Sequence, residues 1–308
     1  MSLLVLGTVA FDTIETPFGK AERIIGGAGT YVAWASSHFY NDIKLVSVIG
    51  DDFPSEELDA LQKRGVNLDG LETRAGEKSF FWAGRYHNNM NSRDTLTTEL
   101  NVLENYSPSL PESAKNVDYL MLGNFAPAIQ KSVLDQLTSR PKLVVMDTMN
   151  FWMDIAMDEL KSVIKDVDVL TINDEEARQL SGEYSLVKAA QVILQMGPTH
   201  LIIKKGEHGA LLFHQEGMFY VPALPLEEVF DPTGAGDSFA GGFIGYLAKT
   251  NDFSFANMKR ALVFGSVVAS FCVEKFGPNN LKLIDEEAIR LRTNDFLSLM
   301  DISMAVTI

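Results

Sequence analysis

The chain has 308 residues, 46% hydrophobic and 22% charged, a balance that suits a globular protein with ample core and excludes extended disorder. Its formal net charge of −15 argues against a nucleic-acid-binding protein or one that adheres to anionic membranes, because both need a basic face. Cys272 is the single cysteine, which excludes an intrachain disulfide and a cysteine-built metal site. A nucleotide stays compatible with the acidic balance, since a local nest of backbone N–H groups holds phosphate whatever the net charge.

In chain order, the opening Met1-Ser2-Leu3-Leu4-Val5-Leu6-Gly7 has no basic flank and is too short for a signal peptide, and no run of about 20 apolar residues follows anywhere. A cytoplasmic protein without a transmembrane helix is therefore expected. Leu3–Leu6 reads as a first buried strand. Phe11–Arg23 is mixed. Leu45–Ile49 is a second buried strand, ending at Gly50-Asp51-Asp52, and Ser55–Arg64 reads as a helix. Lys78–Leu103 carries Phe80-Phe81-Trp82 and then a polar stretch, the pattern of exposed β-hairpins. Tyr119–Leu122 precedes Gly123-Asn124, and Gln130–Thr138 is helical. Leu143–Met146 precedes Asp147. Val169–Ile172 precedes Asn173 and an acid-started helix over Asp174–Leu180. Leu201–Ile203 ends at Lys204-Lys205-Gly206. The strand candidates are short, apolar on both faces and partly β-branched, as buried parallel strands are. Their alternation with helices predicts an α/β fold: a doubly wound, mostly parallel sheet flanked by helices, with a small β lid from about 13–26 and 78–103. The whole of 1–308 is read as one domain. Ligands in such folds sit beyond the carboxyl ends of the strands, so the polar residues after each strand are site candidates as a group.

The segment Asp231-Pro232-Thr233-Gly234-Ala235-Gly236-Asp237-Ser238-Phe239 carries the clearest chemistry. A glycine-rich turn leads straight into a helix whose apolar face holds Phe239, Phe243 and Leu247. Gly234, Ala235 and Gly236 let backbone N–H groups approach an anion, and the helix dipole favours it. Asp237 then stands beside the anion hole. A carboxylate there repels phosphate, which makes sense if it takes a proton from an attacking hydroxyl. The plainer reading of Asp237 is an N-cap after a glycine turn.

This run closely resembles the C-terminal signature of the ribokinase-like, or PfkB, family of carbohydrate and nucleoside kinases. Further motifs resemble the family's in order: Gly7 to Asp12, Gly26-Gly27-Ala28-Gly29, Gly50-Asp51-Asp52-Phe53, Asn173-Asp174-Glu175-Glu176, Gly206-Glu207-His208-Gly209, and Ala269 through Gly277. The resemblance spans nearly the whole chain. It implies ATP-dependent transfer of a phosphoryl group to a hydroxyl of a sugar or sugar-like acceptor, with Asp237 as base and Gly234, Ala235 and Gly236 as anion hole. It implies Asp12, Gly26, Gly27 and Tyr31 at the acceptor. For the nucleotide it implies Asn173, Lys205, Gly206, Gly209, Gly265 and Val268. Asn173 and Glu176 would organise Mg2+ through water, and Asp231 and Thr233 would belong to a monovalent-cation (K+) loop. The lid often also forms a homodimer contact in the family.

Three positions depart from the family pattern. Tyr31 stands where members usually carry Asn, Lys204 where a threonine is often found, and the run Asp147-Thr148-Met149-Asn150-Phe151-Trp152 lacks the arginine of an Asp-x-Asn-x-Arg motif. Alternatives stay open: a nucleoside kinase, with Tyr31, Trp34, Phe81, Trp82 or Tyr86 stacking a base, or a non-catalytic binding protein that kept the fold. A nicotinamide-dependent oxidoreductase would want GxGxxG after the first strand, and Gly7-Thr8-Val9-Ala10-Phe11-Asp12 does not supply it.

Overall fold

The computed structural model describes residues 1–301. In chain order the elements begin with β1 (Leu3–Leu6), β2 (Ala10–Thr16), β3 (Gly19–Gly26), α1 (Ala28–Ser36), β4 (Ile43–Gly50), α2 (Ser55–Lys63), β5 (Val66–Arg74), β6 (Phe80–Tyr86) and β7 (Arg93–Glu99). Then come β8 (Tyr119–Leu122), α3 (Pro127–Asp135), β9 (Leu143–Asp147), α4 (Asn150–Ile155), α5 (Met157–Ile164), β10 (Val169–Asn173), α6 (Asp174–Ser181) and α7 (Leu186–Leu194). The last are β11 (His200–Lys204), β12 (Ala210–His214), β13 (Gly217–Val221), α8 (Ala235–Thr250), α9 (Phe255–Cys272), α10 (Asn279–Leu283) and α11 (Glu286–Met300).

Nine strands form one sheet in the order β13-β12-β11-β10-β9-β8-β1-β4-β5. All neighbours from β11 through β5 are parallel, and β12 and β13 add an antiparallel edge. Every residue of β1, β8 and β9 is buried, which is why these strands read as unbroken apolar runs. One face packs against α1, α8 and α9 through Tyr31, Trp34, Phe239, Phe243, Leu247 and Phe271. The other packs through Val133, Met153, Leu160, Val163, Leu180 and Ile193 of α3 to α7. The strand order reverses around β1, where the chain builds first toward β4 and later toward β8. That switch point opens a crevice at the strands' carboxyl ends. Among the described residues no helix is long and apolar enough to cross a membrane.

A second sheet, β3-β2-β6-β7, forms the lid. β2 and β6 run parallel, and each carries its hairpin partner antiparallel on the outside. Asp12 therefore stands on a lid strand and not at the end of β1. The helix expected at 130–138 starts earlier, at Pro127, and ends at Asp135. Proline's fixed φ and missing N–H suit the first helical turn.

Candidate active site

The segment before α8 is locked from below. Asp231 is 0% exposed. Its Oδ1 accepts the N–H of Thr233 at 2.8 Å, and its Oδ2 accepts that of Gly277 at 3.0 Å. Burial raises its pKa and those two N–H groups oppose the rise. Gly234 caps α8 with φ 75°, and a Cβ there would fall 2.4 Å from the ring of Tyr31. Only glycine fits both the left-handed backbone and the ring beneath it. The N–H of Ala235 donates to the Pro232 carbonyl at 3.2 Å, whereas that of Gly236 has no protein acceptor among the described residues. Gly236 thus aims a free donor at the positive end of a 16-residue helix.

Asp237 lies half-buried on this first turn. Burial, and then the Asp147 carboxylate, push its pKa up to about 6, while Lys204 and Arg93 pull it down. Asp147 ends β9, and Lys204 ends β11. Lys204 Nζ donates to Asp147 Oδ2 at 2.7 Å. Burial lowers the lysine's pKa, but Asp147 and Glu176 outweigh burial and hold it above its ordinary value, so the ammonium is charged. Asn173 and Glu176 form a capping box on α6: the Glu176 N–H donates to Asn173 Oδ1 at 2.8 Å, and the Asn173 N–H to Glu176 Oε2 at 2.7 Å. Burial and the facing Asp147 raise Glu176 to about 7. This pair of hard oxygen donors at the phosphate end fits Mg2+, which keeps several waters and takes one or two carboxylates plus substrate phosphates. Among the described residues no cage of three or more His, Cys, Asp or Glu exists, as a water-mediated site requires none.

On the acceptor side, Asp12 is 4% exposed and faces Asp231 and Asp237. Burial first, then those two carboxylates, raise it to about 8, and the Gly27 N–H opposes them. Gly26 presses so close that a Cβ there would stand 1.9 Å from Asp12 Oδ2. Tyr31 is 1% exposed, with its hydroxyl unpartnered among the described residues. Burial, then Cys272, Asp231, Asp12 and Asp237, hold that hydroxyl well above its usual pKa. The lid adds Trp82, opposite Asp12 in register, and Tyr86, whose hydroxyl accepts from Thr233 Oγ1 at 3.1 Å. Trp34 is in the core, 3% exposed.

The turn between β11 and β12 holds the remaining nucleotide candidates. The Lys205 N–H closes it on the Gly209 carbonyl at 2.8 Å. Gly206 has φ 53°, and a Cβ there would fall 2.2 Å from Oδ1 of Asn91, a residue at the lid tip. Gly265 and Val268 do not join this turn. They pack in the seam between α8 and α9, where a Cβ at Gly265 would meet the Phe239 carbonyl at 2.8 Å, and Val268 is 0% exposed. Asp147 entered the sequence reading only within the group of polar strand-end residues, and Arg93, Asn91 and the direction of Lys204 did not enter it. The only available signal was that Asp147 and Lys204 each end an apolar strand run.

Residues 4–285 match the pfkB family carbohydrate kinase model. The chain belongs to that family. PfkB kinases are phosphotransferases acting on hydroxyl groups of sugars and sugar-like molecules, and this chain is one of them. It is 31% identical over 251 residues to a cytidine kinase of Thermococcus kodakarensis, spanning 79% of this chain and 87% of that protein. Its fold matches the nucleoside kinase of Burkholderia thailandensis in complex with inosine, with a TM-score of 0.77 at 19% identity, over 96% of this chain and 99% of the other. It also matches the aminoimidazole riboside kinase of Salmonella enterica, complexed with aminoimidazole riboside and an ATP analog. There the TM-score is 0.73 at 22% identity, over 95% and 100% of the two chains.

Proposed function

We propose that this PfkB kinase moves the γ-phosphoryl group of ATP onto a hydroxyl of a sugar-like acceptor, and that within this class the acceptor is a nucleoside. Asp237 beside the free N–H of Gly236 is the observation that carries the transfer. The acceptor oxygen attacks phosphorus as the bond to the leaving diphosphate oxygen breaks, and the electron pair stays on that oxygen. Asp237 takes the acceptor's proton. Gly236 and the α8 dipole stabilise the charge on the transferring group. Asp12, with Gly26 and Gly27 behind it, holds acceptor hydroxyls. Mg2+, held by Asn173 and Glu176 through water, would neutralise phosphate charge when bound. The turn at Lys205, Gly206 and Gly209 takes the nucleotide. Asp231 is a fully buried carboxylate that accepts the N–H groups of Thr233 and Gly277, so a K+ near Asp231 and Thr233 would supply positive charge there. A non-catalytic role fits poorly with a half-buried carboxylate beside an N–H of the α8 turn that has no protein acceptor among the described residues.

The nucleoside reading rests on Trp82. Trp82 pairs in register with Asp12 across β6 and β2, so one strand pair offers a carboxylate for sugar hydroxyls and a ring for a base. The cytidine kinase likeness supports it. β7, exposed along its length, is the surface on which two copies would meet in a lid-mediated dimer. One protein chain of 1–308, with its lid, is proposed to be the whole working unit. The test compares kcat/KM for cytidine, inosine and other nucleosides with that for free ribose and fructose. Nucleosides should lead by at least about tenfold, and Trp82→Ala should cost them alone. Equal values for ribose and nucleosides would return the acceptor to free sugars.

A further inference from the structure

We propose that Lys204 is a further catalytic residue: its ammonium contacts the transferring phosphoryl group, and Asp147 is the positioning residue that aims it. The inference rests on the phosphoryl-transfer reading above. Lys204 runs along Gly236, with Nζ 3.1 Å, Cε 3.8 Å and Cδ 3.9 Å from where a Cβ of that residue would be. The ammonium is therefore at the N-terminus of α8, next to the Gly236 N–H, which has no protein acceptor among the described residues. The helix dipole and a free donor both repel a cation there. The charges of Asp147, Glu176 and Asp237 hold the ammonium in that position against the repulsion. The position becomes more favourable once an anion lies between the ammonium and the helix end, bound by both.

Asp147 fixes the direction. Its Oδ2 takes one ammonium N–H at 2.7 Å and its Oδ1 accepts the N–H of Thr148 at 2.8 Å, so the carboxylate is held from behind. An ammonium has three donors, which leaves two for phosphoryl oxygens. No cation comes from the segment after β9, where Phe151 is exposed and the Trp152 Nε1–H donates to Asn124 Oδ1 at 2.8 Å. In the transfer step Lys204 gives up no proton. It donates hydrogen bonds to the non-bridging oxygens of the group in flight while Asp237 receives the acceptor's proton.

The test measures ATP and ADP affinity by calorimetry in Mg2+ without acceptor, together with kcat, for wild type, Lys204→Met, Lys204→Arg and Asp147→Asn. Lys204→Met should weaken ATP at least about tenfold more than ADP and lower kcat by about 10²–10³. Lys204→Arg should recover part of both. Asp147→Asn should keep both affinities within a few-fold and lose kcat. If Lys204→Met does not fold, Lys204→Gln gives the same comparison with the charge removed and a donor kept. An unchanged ATP-to-ADP ratio with unchanged kcat overturns the proposal. So does equal weakening of both nucleotides with a lowered melting temperature, the mark of a structural ion pair. If wild type transfers phosphate to no acceptor, the functional reading fails, while the ATP-to-ADP ratio still reports on Lys204.

Discussion

Burial decides the behaviour of the two central carboxylates. Asp237 must be ionised to accept a proton, and burial beside Asp147 raises it to about 6. The kcat/KM profile should therefore fall on the acid side through a limb near pH 6, and a limb near 4 would show a solvated, unperturbed carboxyl. Asp12 is raised to about 8 by burial and by Asp231 and Asp237. A raised carboxyl favours the protonated folded state, so its contribution to stability is complete below the unfolded value and is lost as pH rises through about 8. Asp12→Asn should melt progressively higher than wild type between pH 4 and 8 and level off above that, while its acceptor KM rises. Parallel melting curves across that range would show that Asp12 is solvated. Gly234→Ala meets both φ 75° and the Tyr31 ring at 2.4 Å. It should lower both stability and kcat, the stability by more than the roughly 1–2 kcal/mol of left-handed backbone strain alone.

Two contacts tie the lid to the turns that carry the candidate site. Thr233 bonds Tyr86 beside the catalytic turn, and Asn91 lies over Gly206 and within 3.4 Å of Glu207 at the nucleotide turn. A closed lid excludes water from the phosphoryl group. Gly206→Ala would push against Asn91 Oδ1 and force a left-handed alanine. Its ATP KM should rise and ATP hydrolysis without acceptor should increase, with Asn91→Gly restoring part of the coupling in the double variant. Unchanged hydrolysis would show that the lid tip does not seal the site. None of these contacts was readable in advance. The parallel strands were, because burial on both faces leaves an unbroken apolar run, as in β8 and β9. β13 was not, since most of its residues are exposed and its pattern is diluted. Asn91 and Glu207 are 116 residues apart, and nothing local marks their meeting. Lys204 was legible as a departure at a strand end, but only three dimensions give its direction. Gly265 and Val268 were expected at the nucleotide from the resemblance, and they pack between α8 and α9.

At the scale of the molecule, a chain of net charge −15 gathers Asp12, Asp147, Glu176, Asp231 and Asp237 around one crevice that Lys204 and Arg93 face. Such a crevice calls for cations. Activity should vanish on chelation of Mg2+ and return with it, and K+ should stimulate turnover in wild type but not in Asp231→Asn. Equal stimulation of that variant would place the cation elsewhere. The overall fold was legible, and so was the turn before α8 as a glycine run against a helix start, because that pattern is local. The acceptor was not, because it depends on where the lid strands bring Trp82 and Asp12. The most direct measurement is ATP consumption in Mg2+ against a panel of nucleosides, sugars and polyols, with wild type and Asp237→Asn side by side. The expected result is acceptor-dependent ATP loss in wild type, reduced by about 10²–10⁴ in the variant, with a phosphomonoester as product. Near-normal turnover by Asp237→Asn would contradict the assignment of the base and, with it, the mechanism built on the α8 turn.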